Sequence, residues 1–316
     1  MTEQVVVITG ASAGVGRAVA AAEKECAGLG AARVCTAEVD ISDAAALDAA
    51  AERLASELGP PDVWVNNAMV SVFARAWDIT PAEFRRVTEV NYLGSVHGTL
   101  AALRTMRPAG RGTIVQVGSS LAYRGIPLQS AYCASKHAVQ GFFDSLRAEL
   151  LAEYPGVRLT MVNLPAINTP QFSWVRTRLP RHPQPVPPIY QPEVAARAIL
   201  WAAAHAPREL NVGAPTVVTR VLDVLVPGLV ERYLARRGFD AQQAPEPVDL
   251  ARWRDNLDAP VDGDADHGAH GDFDDRARSR SPQLWLATHK GVVAAGAAAA
   301  LGTAAASTWV RRQAWR

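Results

Sequence analysis

The sequence predicts an α/β fold organised on a doubly wound parallel sheet, and three observations carry that prediction. Short β-branched runs alternate with helix-period segments through the first two thirds of the chain. The first run, at residues 5–8, is continuously apolar, as suits a parallel strand buried on both faces. Polar and glycine-rich motifs follow directly after the predicted strands, where open α/β sheets bind their ligands. With 316 residues the chain can hold one generous α/β domain and appendages.

Taken in order, the strand at 5–8 leads into Thr9-Gly10-Ala11-Ser12-Ala13-Gly14-Val15-Gly16 and then a helical pattern. Glycines there allow close backbone approach, and the amides of a helix start can hold a pyrophosphate, so a dinucleotide site is predicted. Residues 34–39 read as a strand, and 43–58 as an Ala-rich helix closed by Gly59-Pro60-Pro61. Residues 63–65 form a buried strand ending in Asn66-Asn67-Ala68. Thr80-Pro81-Ala82-Glu83 is a capping box with proline at the first helical position, opening a helix through Asn91 to about Met106. A strand at 113–117 ends in Gly118-Ser119-Ser120, a helix spans 130–151, and a strand at 158–164 runs into Pro165-Ala166-Ile167-Asn168-Thr169-Pro170. The stretch 171–192, with Phe172, Trp174 and Tyr190, suits a loop that closes an apolar pocket. A helix starting at Pro192, a last strand at 209–213 and an amphipathic helix over 217–236, interrupted at Pro227, complete the domain, set at 1–238.

Composition bounds the function. A formal net charge of +1 gives no electrostatic footprint for nucleic acid, so the expected partner is a small molecule. Cys26, Cys35 and Cys133 have neither disulfide-framework nor metal-ligand spacing, which fits a reducing compartment. No basic region with an apolar core and cleavage site precedes the first strand, so a cytoplasmic location is expected.

The chemistry-bearing pair lies on the 130–151 helix. Tyr132 and Lys136 are four residues apart, which stacks them on one helix face. A neighbouring ammonium favours the phenolate, so Tyr132 is expected to have a lowered pKa and to serve as a general acid or base. That spacing is common on helix surfaces. Here, however, the only lysines are Lys24, Lys136 and Lys290, so a lysine at this position is not background.

On these motifs, residues 5 to about 215 resemble the short-chain dehydrogenase/reductases, whose fold is Rossmann-like. The resemblance implies Tyr132 as proton donor or acceptor, Ser119 bonding the substrate oxygen, Lys136 tuning the tyrosine, and Asn91 holding a relay water. It implies NADP or NAD as cofactor, NADP slightly preferred, bound by Gly10, Ser12, Gly14, Val15, Gly16, Asp40, Ile41, Asn67, Ala68, Tyr132, Lys136, Pro165, Ile167 and Thr169. It also implies homo-oligomers, through the helices carrying Asn91 and Tyr132. Met69 and Ala166 stand where the family usually has glycine, and narrow the site slightly.

One departure is large. Only 23 residues separate Gly16 from Asp40, whereas two helices, a strand and their loops need roughly forty. The sheet is therefore expected to lack its usual second strand, whose end normally carries the group that grips the adenosine ribose. If residues 34–39 slide into that slot, Glu38 or Asp40 takes over for NAD; Arg17 is an alternative phosphate contact.

Beyond the domain, residues 239–282 are rich in Asp, Arg, Gly, Pro and His and read as a disordered linker. His267 and His270 beside several aspartates resemble metal ligands, but the polar-linker reading outweighs it and no metal is predicted. Residues 283–316 are expected to form an Ala-rich apolar helix. Its stretch 291–310 carries no charge and could cross or touch a membrane, though it lacks the Leu, Ile and Phe that drive insertion. The expected function is hydride transfer between a nicotinamide cofactor and a carbonyl or secondary alcohol, with a hydrophobic substrate. The alternatives are a catalytically silent binding or scaffold protein that has lost its adenosine site, and a defective chain that folds poorly.

Overall fold

The computed structural model describes residues 4–26, 35–261 and 266–293. Its centre is a five-stranded parallel sheet of β1 (Val6–Ile8), β2 (Val63–Asn66), β4 (Gly112–Ser119), β5 (Val157–Leu164) and β9 (Glu209–Asn211), in that spatial order. Helices cover both faces. On one, α1 (Gly14–Cys26) and α6 (Pro192–His205) enclose Val19, Val65, Val115, Val162 and Ile199. On the other, α4 (Gly94–Ala109) and α5 (Ser130–Glu153) enclose Trp64, Ile114, Phe143, Leu159 and Met161, and α2 (Ala44–Leu58) lies against α4. The predicted doubly wound sheet is thus the observed one.

The predicted capping box forms: Thr80 accepts from Glu83 N at 3.3 Å while Glu83 accepts from Thr80 N at 2.8 Å. The helix it opens, α3 (Pro81–Thr88), passes through a π turn, Glu89–Leu93, before continuing as α4. Such turns are frequent at functional sites, and this one holds Asn91.

Residues 35–39 do not form the expected strand. They alternate between half-buried and exposed, with Thr36, Glu38 and Asp40 outward, a pattern that cannot sit between two helical layers. Their polar groups bond side chains instead: Arg53 donates to the Thr36 carbonyl at 2.9 Å, and Arg86 pairs with Asp40 at 2.8 Å. Among the described residues β1 is therefore the sheet edge, with β2 as its neighbour.

The 239–282 region is ordered wherever it is described, contrary to the linker expectation. After α7 (Gly213–Leu225) and α8 (Pro227–Arg237), it wraps back over the carboxyl ends of the strands. Three small ladders tie the loops there. β3 (Val72–Phe73) pairs with β6 (Arg176–Thr177), β7 (Arg181–Pro183) with β10 (Gln243–Pro247), and β8 (Ile189–Tyr190) with β11 (Ala277–Arg278). Two of its apolar residues are deeply placed, Leu257 at 0% exposed and Phe273 at 4%, whereas Leu250 is half-exposed. Several of its charges are paired with the domain, as where Arg176 meets Asp255 at 3.0 Å and Asp258 at 2.8 Å. Composition suggested disorder because these anchors are few. They hold the segment because each is buried or ion-paired.

α9 (Pro282–Thr288) follows, with Leu284 in the α1–α6 core cluster. Among the described residues no helix is long and apolar enough to cross a membrane. Most of the 291–310 stretch lies outside them.

Candidate active site

The glycine-rich turn is held from below by the end of β2. Thr9 Oγ1 accepts from Asn67 N at 3.0 Å and Ala68 N at 3.2 Å, and Asn67 Nδ2 donates to the carbonyls of Thr9 and Gly10, both at 3.1 Å. Asn67 and Ala68 thus fix the turn. Gly10 has φ +65°, and a Cβ there would lie 2.8 Å from Ala68 Cα. A Cβ at Gly16 would fall 2.2 Å from the Gly10 carbonyl oxygen. Only glycine fits either position. The result is a tight cradle opening on the first turn of α1, with Ser12 exposed, Val15 half-buried and Thr169 packed close to Gly14.

Asp40 and Ile41 line the same cleft but are committed elsewhere. Asp40 accepts from Ser42 N at 2.9 Å and Ser42 Oγ at 2.8 Å, besides its pair with Arg86. Burial raises the Asp40 pKa, but these bonds outweigh it and hold the carboxyl below its usual value. Ile41 fills the notch at Gly94 on α4, within 2.5 Å of where a Cβ would stand.

Ser119, Tyr132 and Lys136 converge at the carboxyl end of β4. The Tyr132 side chain lies beside Ser119, whose Oγ accepts from Leu121 N at 3.1 Å. Lys136 is 5% exposed, and its Nζ lies 5.6 Å from the Tyr132 ring centroid while donating to the Val117 carbonyl at 2.9 Å. The expected lowering of the tyrosine pKa is not seen. Burial pushes Tyr132 up to about 12, only partly offset by the neighbouring Ser119, and burial pulls Lys136 down to about 8. Withdrawal from water penalises phenolate and ammonium alike, and the ammonium is turned onto a backbone carbonyl rather than the phenol oxygen. At neutral pH, Tyr132 is therefore a protonated acid beside a still-charged lysine.

Asn91 is fully buried. Its Oδ1 accepts from Val70 N at 2.8 Å, and its Nδ2 donates to the Val70 carbonyl at 2.9 Å and to Ser135 Oγ at 3.0 Å. It ties the loop after β2 to α5, one turn from Tyr132. Pro165, Ile167 and Thr169 follow β5 and, with Ser119, Tyr132 and Lys136, line one open cleft of ≈ 1970 Å³. Ordinary ligand clefts are about 300–1,000 Å³. This one is larger because it runs from the 35–40 segment and α2, past the glycine-rich turn, to an apolar end at Leu121, Trp174, Val218, Leu222 and Leu229.

Sequence reasoning missed Arg86, the partner of Asp40, and Arg124, a cleft residue paired with Asp223 on α7 at 2.9 Å and Glu231 on α8 at 3.1 Å. No local pattern marks either. It also missed that Asp266 and Gly268 reach the glycine-rich turn, for which the short-spaced Gly268 and Gly271 were the one available sign. His270 spends both ring nitrogens on Glu193 (2.7 Å) and Asp274 (2.8 Å). Among the described residues, no group of three or more His, Cys, Asp or Glu is arranged to hold a metal.

Comparison with known proteins adds to this geometry. The sequence profile described as short chain dehydrogenase matches residues 19–179. The Bacillus subtilis (strain 168) protein "Uncharacterized oxidoreductase YxnA" is 33% identical over 269 residues, covering 78% of this chain and 76% of that protein. Human "Dehydrogenase/reductase SDR family member 7" is 40% identical over 119 residues, 38% of this chain and 35% of the relative. Among solved structures, a short-chain dehydrogenase from Streptomyces avermitilis aligns with TM-score 0.60 and 26% identity, over 74% of this chain and 99% of that one. A Burkholderia cenocepacia J2315 short chain dehydrogenase in complex with NADP aligns with TM-score 0.60 and 24% identity over the same shares, a likeness of fold.

Proposed function

The chain belongs to the short-chain dehydrogenase family, and from that premise we propose that it interconverts a carbonyl and a secondary alcohol with a nicotinamide cofactor. The observation that carries this reading is the joining of Ser119, Tyr132 and Lys136 to the glycine-rich cradle within one cleft. Gly10, Ser12, Gly14, Val15 and Gly16 would hold the pyrophosphate, and Pro165, Ile167, Thr169 and Lys136 the nicotinamide riboside. The cofactor, when bound, supplies or accepts the hydride with its two electrons. The protein handles the proton.

In the reductive direction, Ser119 holds the carbonyl oxygen and Tyr132 Oη gives its proton to that oxygen as the C–H bond forms. A protonated tyrosine at neutral pH is ready for that step. Lys136 keeps positive charge beside the phenolate left behind, and Asn91 fixes the loop and helix that frame the site.

NADP is the favoured form. Asp40 is already paired with Arg86, which leaves Glu38 as the acid at that end of the cleft, against the three arginines Arg17, Arg53 and Arg86 that border it. The Burkholderia relative in fold is described with NADP, and an alcohol dehydrogenase from Thermococcus sibiricus with 5-hydroxy-NADP. The apolar end of the cleft supports a hydrophobic substrate. Exposed Leu93 and Leu100 on the π turn and α4, with Leu151 on α5, support a homo-oligomer through those elements.

Titrating purified protein with NADPH and NADH, following nicotinamide fluorescence, tests the reading. Submillimolar binding, tighter for NADPH, is expected. Failure of both to bind to protein that unfolds cooperatively would favour the silent scaffold that the lost strand at the adenosine end suggests.

A further inference from the structure

The first turn of α1 is not open. Gly14 N, one of the amides at the helix start, donates to the Gly268 carbonyl at 3.1 Å, so a partial negative charge from the C-terminal extension already sits where the cradle would receive a phosphate oxygen. Beside it Arg17 is gripped by Asp266, with guanidinium nitrogens 2.8 and 3.3 Å from its two carboxylate oxygens. A carboxylate and a carbonyl here occupy the anion-seeking groups of the turn, and they repel any further anion.

The segment that does this has two unlike ends. From Gly271 onward it is fixed. Phe273 N donates to Asn168 Oδ1 at 3.1 Å, its ring is buried against Phe172, and Asp274 receives bonds from Asn168 (2.8 Å) and Gln191 (3.0 Å). Gly271 lies so close to residue 169 that a Cβ would fall 2.4 Å from the Thr169 carbonyl oxygen. Ala269 and His270 are also anchored, on the core cluster and on Glu193 and Asp274. Ahead of them the contacts are exposed: Arg17 and Asp266 side chains are 43% and 60% accessible, and the His267 and Trp174 rings meet T-shaped with centroids 4.7 Å apart. Between the ends stands Gly268 with φ +65°, a backbone state open to glycine and costly for most residues. The exposed part can swing while the buried part stays.

We infer that Asp266–Gly268 is a flap on the phosphate end of the cleft, and that a dinucleotide binds only by lifting it, which frees Arg17 to pair with a cofactor phosphate. Asp266 and Arg17 are then opposing determinants of cofactor affinity. The inference rests on the nicotinamide reading of the site. His267 couples the flap to Trp174, which lines the substrate end, so lifting it also changes that wall.

Two variants test this. In the full chain, Asp266→Asn should tighten NADPH binding by about two- to fivefold, the worth of one exposed ion pair of 0.5–1 kcal/mol. Arg17→Gln frees the flap too but removes the phosphate contact, so its affinity should fall to that of wild type or below, not rise with Asp266→Asn. If the ion pair served only to brace the fold, both variants would move affinity the same way, and the flap would be refuted. Hydrogen exchange supplies a second readout: saturating NADPH should speed exchange at residues 266–268 and leave 272–274 unchanged. Slowed exchange at 266–268 would mean that the segment clamps the cofactor and would overturn the inference. If wild type binds and Asp266→Asn is no tighter, the flap alone falls. If no protein binds either nucleotide, the nicotinamide reading falls and takes the flap with it.

Discussion

The two halves of the sheet are built to different standards. β4 and β5 are eight residues each, paired along their whole length and buried at seven positions of each, and they carry Ser119 and the Pro165–Thr169 turn at their ends. Among the described residues, β1 is three half-buried residues with one neighbour, and the segment 35–40 makes no ladder. The proton-handling half of the site stands on a rigid double layer. The half that would hold adenosine stands on an edge, and side-chain ties and the C-terminal extension do the work of a missing strand. Loss of a strand therefore need not disturb the chemistry, because its position is fixed two strands away.

The sharpest way to break this comparison is Tyr132→Phe. The change removes one oxygen from the rigid half, so turnover should fall by about 10²–10⁴-fold, with cofactor affinity and cooperative unfolding retained. A loss of only a few fold would place the proton elsewhere.

Stability should divide the same way. Leu159→Ala, in the core between β5 and the α4–α5 layer, should cost about 2–5 kcal/mol in denaturant unfolding. Val7→Ala on the half-buried edge strand should cost about 1 kcal/mol, since only part of its side chain leaves water on folding. Equal losses would mean that β1 is as well enclosed as β5.

The smallest effects belong to the ties that replace the strand, and they titrate in opposite directions. Asp40 has a lowered carboxyl pKa, so its tie is complete above the unfolded value of about 4 and is lost as pH falls through the folded value. His270 is raised, first by its bond to Asp274, then against burial by Glu193 on α6. Its contribution is complete below about pH 6.5 and is lost as pH rises through the folded value. Hydrogen exchange, corrected for intrinsic rates, should show 268–274 loosening between pH 6 and 9 while 40–43 stays constant. Uniform behaviour would dissolve the distinction between the two ties.

The legible parts of the sequence share one property: their signals are local. The Thr80–Glu83 box, the run before Ser119 and the Tyr132–Lys136 spacing each specify a short element, and short elements in order specify the sheet. What could not be read was fixed at long range. Asp266 and Arg17 are 249 residues apart, and Arg86 meets the Leu257 carbonyl across 171. Nothing near 35–40 announced that Arg53 and Arg86 would claim its polar groups. The tyrosine pKa was misjudged for a related reason, since helix spacing brings Lys136 alongside but does not reveal how deeply both side chains are buried.

The claim that the proton-handling half is complete despite the lost strand is tested most directly by label transfer. Protein would be incubated with NADPH deuterated at nicotinamide C4 and a panel of aldehydes and ketones of increasing chain length, and product alcohols read by mass spectrometry. Deuterium on the carbinol carbon with wild type, abolished in Tyr132→Phe, is the predicted result. No transfer to any carbonyl, by wild-type protein that binds NADPH and unfolds cooperatively, would contradict it.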